Sequence, residues 1–109
     1  VALWHVTLTI GGEEIQPSDV LDALKRLADE QPFLLSGRYA TDRAEVRYWE
    51  EAVDCGDAAA LALRLWGEHR VSAGLPPWRV VGLEVVDESV YRDRSELTAV
   101  SAVGAWRPF

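Results

Sequence analysis

The chain has 109 residues, 49% of them hydrophobic and 27% charged, with a formal net charge of −7. That length suits one domain with its own modest core, and the composition excludes a disordered or fibrous chain. The excess of carboxylates repels polyphosphates and anionic lipid, so nucleic-acid or membrane binding would need a dense basic run, and the sequence has none.

Residues 2–10, ALWHVTLTI, alternate as a half-buried strand, with Trp4, Val6, Leu8 and Ile10 on one side and Leu3, His5, Thr7 and Thr9 on the other. A loop, GGEEIQP, leads to Ser18, which stands where an N-cap oxygen would accept a bond from a free helix N–H, with Asp19 favourable at the positive helix end. The helix that follows carries Val20, Leu24, Leu27 and Gln31 on one stripe and stops at Pro32. FLLSGRYATDRAEVRYWEEAV reads as a hairpin turning at Asp42 and Arg43, which would set Tyr39 opposite Val46 and Arg38 opposite Arg47.

A second helix spans about Asp57 to Ala73, capped by Asp54 or Asp57 and closed by Gly74. After the rigid LPPW connector, residues 78–87 form a fourth strand, dense in β-branched residues and expected to be central or well covered. Residues 1–94 are read as the domain and residues 95–109 as a tail, either a weak extra strand or a partner-dependent arm.

The order strand, helix, strand, strand, helix, strand over residues 2–87 resembles the split βαβ, or ferredoxin-like, arrangement. The resemblance implies an α+β fold with a four-stranded antiparallel sheet, strand order 4-1-3-2, and both helices on one face. The helix-free face would then carry Leu3, His5, Thr7, Thr9, Glu45, Arg47, Trp49, Glu51, Trp78, Val80, Gly82 and Glu84. Leu34, Ser36 and Arg38 from the second strand would join them. Within RYWEE this parity turns Arg47, Trp49 and Glu51 outward and leaves Glu50 facing the helices, unless a bulge re-aims it.

Aromatic anchors beside arginine are the composition of an interface. We therefore expect a non-catalytic module that self-associates, or binds a small organic ligand, through His5, Arg38, Arg47, Trp49, Trp78 and Glu84. Arg47 would orient an anionic or carbonyl group, and Trp49 and Trp78 would supply flat apolar area. A competing expectation is a cofactor-free enzyme. In it His5 is the base and Arg47 the oxyanion anchor, similar to dimeric α/β-barrel proteins that act as isomerases or oxygenases on small organic molecules. A third is a protein-partner adaptor that uses the tail.

RNA-recognition domains of this topology stack bases on aromatic residues of the first and third strands. The Lys/Arg-Gly-Phe/Tyr run is absent here, and Glu45 and Glu51 flank Trp49, so no nucleic-acid partner is expected. His69 falls on the apolar stripe of the second helix and reads as a core histidine bonded to a carbonyl or carboxylate. The lone Cys55 cannot form an internal disulfide, and Asp54 and Asp57 oppose its ionisation. No zinc spacing, dinucleotide fingerprint or phosphate-loop lysine occurs, so no metal or cofactor is expected. The N-terminal VALWHVTLTI has no basic leader region, and a cytoplasmic location is expected.

Overall fold

The computed structural model describes residues 1–96 and 105–109. Its elements are β1 (Ala2–Gly11), α1 (Pro17–Glu30), β2 (Leu34–Tyr39), β3 (Arg43–Ala52), α2 (Cys55–His69), β4 (Arg79–Asp87), α3 (Glu88–Glu96) and β5 (Ala105–Pro108). They form an α+β domain on one mixed sheet of order β4-β1-β3-β2-β5. The first four strands keep the anticipated antiparallel order. The four-stranded, two-helix form is nevertheless exceeded twice, because β5 adds parallel to β2 and α3 lies on the face expected to be free of helices. Residues 97–104 of the anticipated tail lie outside the described residues. Among the described residues no helix is long and apolar enough to cross a membrane.

Alternation in β1 and β3 builds the core. Val6, Leu8 and Ile10 pair across with Tyr48, Val46 and Ala44, and all six are fully buried. Val20, Leu24 and Leu27 of α1 and Ala62, Leu65 and Trp66 of α2 pack on that face. The Tyr48 hydroxyl, enclosed there without a hydrogen-bond partner among the described residues, is pushed up in pKa by burial and by Glu50.

Helix ends differ from the sequence reading in instructive ways. α1 begins at Pro17, not after Ser18; Pro lacks the N–H that would go unpaired at a first helical position, and Gln16, at the cap, makes no side-chain capping bond. α2 begins at Cys55, where the Asp54 carboxylate accepts from the Asp57 N–H at 2.8 Å, and it ends at His69. Residues 70–74 turn instead, with Gly74 at φ 62 and its carbonyl accepting from Arg26 Nη2 of α1 at 3.0 Å. The β2–β3 turn falls one residue earlier than expected, at Thr41 and Asp42. The Ala40 N–H donates to Arg43 O at 2.9 Å, which sets Tyr39 opposite Ala44 and Arg38 opposite Glu45.

Two register shifts alter the parity that alternation assumes. One falls between Leu34 and Ser36, so Leu34 joins the core rather than the open face. The other makes Val81 an extra residue, with Thr9 opposite Gly82 and Ile10 opposite Val80, which moves Val80 to the helix side. β4 is an edge strand, not a covered one, and leaves Val81 54% exposed. No shift interrupts β1 against β3, so Trp49 lies on the open face and Glu50 opposite Trp4 on the helix face. Burial raises the Glu50 carboxyl pKa; Asp57, Glu51 and Glu68 add to this, and a backbone hydrogen bond from Glu51 opposes it.

Candidate functional site

The face turned away from α1 and α2 divides into two ends. At one end His5 pairs with Trp49 on β3 and with Val86 on β4. α3 crosses here, capped by Asp87, whose Oδ1 accepts from the Val90 N–H at 2.9 Å; those bonds hold the Asp87 carboxyl below its usual range. Tyr91 stacks on His5 with ring centroids 3.8 Å apart, and Trp49 meets both rings edge-on, at 5.2 and 5.0 Å. Arg92 stands over Trp49, and Arg94 donates to Glu84 at 3.0 Å. His5 is thereby enclosed at 3% exposure, with Nε2 lacking a hydrogen-bond partner among the described residues.

Burial is the main reason the His5 pKa falls to about 4; Arg47 and Arg94 lower it further and Glu84 opposes them. His5 is therefore neutral at pH 7, with Nε2 buried. The sign of its effect on stability follows. An unfolded chain takes up a proton near 6.5 and the folded one only near 4, so the neutral ring's contribution is complete above pH 6.5. It is lost as pH drops towards 4, by about 3 kcal/mol. Proton NMR should give the His5 ring a titration midpoint near 4, and His5→Phe should flatten the stability profile between pH 6.5 and 4. A midpoint at 6 or above would contradict the enclosure.

At the other end two rows of side chains run across the strands. Thr7, Arg47 and Ser36 form one, and Thr9, Glu45, Arg38 and Arg107 the next. Between them is an open depression of about 180 Å³ lined by Ser36, Gly37, Arg38, Glu45, Arg47 and Arg107. Arg38 grips Glu45 with both Nε and Nη2, at 3.2 and 3.1 Å, and Arg47 Nε donates to the same carboxylate at 3.2 Å. The Phe109 ring lies under Arg38 and Arg43, with guanidinium carbons 4.8 and 4.7 Å from its centroid. Arg107 has no carboxylate partner among the described residues.

The residues anticipated as one site thus separate. Arg38 and Arg47 line the depression, His5 and Trp49 lie under α3, and Glu84 ties α3 down. Trp78 is not on the open face at all: it precedes β4, is 6% exposed, stacks on Trp66 at 6.3 Å and donates its indole N–H to Glu13 O at 2.9 Å. Ser36 and Glu45, placed on the open face by strand parity but not among the expected site residues, also line the depression, and sequence reasoning missed Arg107 and Tyr91 altogether. No basic run is dense along the chain, yet the fold gathers Arg38, Arg47 and Arg107 from three strands. His69 is half-buried rather than a core residue, with Nδ1 2.8 Å from Glu30 Oε1. Ser72 Oγ donates to that same oxygen at 2.6 Å, and these two bonds hold the Glu30 carboxyl below its usual range. Ser72 is bonded to the carboxylate and not to the ring, so the trio is not a nucleophile and base. Among the described residues no three His, Cys, Asp or Glu side chains gather as metal ligands.

The fold and this depression define a small α+β domain with an arginine-lined surface site. Residues 3–101 match the sequence profile described as Domain of unknown function (DUF8830), and the chain belongs to that family. Among curated proteins, none matches the chain.

Proposed function

We propose that the domain is a non-catalytic binding module for a small ligand bearing an oxyanion, a carboxylate or a phosphate, held in the depression between Arg47 and Arg107. The observation that carries this reading is three guanidinium groups lining one depression, two of them bonded to Glu45, in a chain of net charge −7. Arg107 stands directly across from Arg38, and like charges so placed disfavour strand pairing by about 0.2–1 kcal/mol. A fold with no use for the cluster would gain by replacing one of them.

Donor geometry supports the same ligand class. Arg38 spends two donors on Glu45 and Arg47 only one, so the terminal nitrogens of Arg47 and the fork of Arg107 remain for a bidentate oxyanion, with the Ser36 hydroxyl beside them. Association of two copies through this face is not needed for the reading, since Tyr91 of the same chain already covers the aromatic end that would anchor a second sheet. Catalysis by His5 has no support from a ring that is enclosed and neutral.

Titration calorimetry at low salt tests the proposal. Inorganic phosphate or succinate should bind saturably, one per chain, and Arg47→Ala should weaken the tighter of the two at least about ten-fold, the worth of a charged hydrogen bond. An absence of binding by the unmodified protein, or equal affinity in Arg47→Ala, would remove it.

A further inference from the structure

The outer wall of the depression is β5. Four paired positions join it to β2, Ser36 to Ala105, Gly37 to Trp106, Arg38 to Arg107 and Tyr39 to Pro108, and the Phe109 N–H donates to Tyr39 O at 3.0 Å. So short a strand needs an anchor, and Trp106 provides it. Its indole packs against the buried core on the helix side, directly over Gly37. A Cβ at position 37 would lie 2.2 Å from the indole and 2.9 Å from the Glu45 backbone oxygen, so the notch that receives Trp106 exists only because residue 37 has no side chain.

Successive residues of a strand point to opposite faces. Seating Trp106 on the helix side therefore delivers Arg107 to the open face, across from Arg38 and into the depression. The two events are one movement of β5. Docking also has an electrostatic cost, because it sets Arg107 beside Arg38 with no second carboxylate among the described residues to offset it. A bound oxyanion offsets that cost.

We infer that oxyanion binding and the docking of β5 onto β2 form one coupled equilibrium, in which Trp106 is a positioning residue and Arg107 a binding residue. This rests on the oxyanion reading above. A ligand that touches Arg107 binds the docked form more tightly and so raises its population; reciprocally, chains with β5 undocked have a weaker site, and the apparent affinity falls with the docked fraction. The terminal strand thus sets how much of the protein is ready to bind.

Amide hydrogen exchange on the full chain, with and without saturating inorganic phosphate, tests the coupling together with calorimetry on Trp106→Ala, Arg107→Ala and the double variant. Phosphate should slow exchange of the Phe109 amide at least about five-fold. Each single variant should weaken phosphate binding by a similar factor, about ten-fold, and the double variant should be no weaker than either, because both changes remove the same contact. Unchanged exchange at residues 105–109 under saturating phosphate would overturn the inference, as would Trp106→Ala binding at full affinity. In those cases a loss in Arg47→Ala would leave the oxyanion site standing without β5. If the unmodified protein bound no phosphate or succinate, both would fall together. The exchange measurement uses the unmodified protein and holds even if Trp106→Ala folds poorly.

Discussion

Trp78→Ala should lower the stability of the domain by about 3–5 kcal/mol, the range for truncating a buried large aromatic, and leave phosphate affinity unchanged. The indole is nearly parallel to Trp66, at an interplanar angle of 7°, and its N–H satisfies a loop carbonyl at Glu13. Gly12 gives it room, since a Cβ there would approach the ring to 2.5 Å. Truncation would open a void between α2 and the β1–α1 loop and leave that carbonyl to find water. Set against a typical total of about 5–15 kcal/mol, this is a large loss, and urea unfolding would register it as a lower midpoint. Retained stability with lost phosphate binding would put Trp78 back in the site.

Glu45→Gln should act in the opposite sense on binding, raising oxyanion affinity about ten-fold while lowering the stability of the unliganded protein by about 1 kcal/mol. Glu45 accepts from both Arg38 and Arg47 and, among the described residues, is the only carboxylate lining the depression. It therefore competes with any incoming anion for the same donors. Glutamine keeps the shape and one acceptor oxygen but releases the charge. The arginines, 43% and 41% exposed, are then solvated by water until an anion arrives. Their mutual repulsion produces the stability loss, and higher salt should shrink both effects. A drop in affinity would mean instead that Glu45 serves chiefly to hold the guanidinium groups in place.

How far the site could be read from sequence depends on where strand parity holds. Along β1 and β3 it is unbroken, which is why His5, Thr7, Arg47 and Trp49 fall on the face that alternation assigns them, and Glu50 on the other. It fails at Leu34 and Val80, each next to a register shift that pairing partners create and no local pattern announces. Trp78 misled for a related reason: one residue before β4, it is free of the strand's alternation and turns into the core.

The additions that divide the open face were harder to foresee. α3 is largely polar and holds to the sheet through Tyr91 on His5, Arg92 over Trp49 and Arg94 on Glu84, with too little apolar surface to give a helical period. β5 is four residues long, and Arg107 enters the site only by a parallel pairing with a strand some seventy residues earlier. Charge along the chain likewise gave no warning of the basic cluster, because its three arginines come from three separate strands.

The two margins of the described sheet disfavour further growth by different means. At β4 the extra Val81 breaks the spacing of outward N–H and C=O groups that an incoming strand would have to match. At β5, Pro108 has no N–H to offer a neighbour. Both outward edges of the described sheet are thus poorer templates for a further strand than an uninterrupted, fully N–H-bearing strand would be.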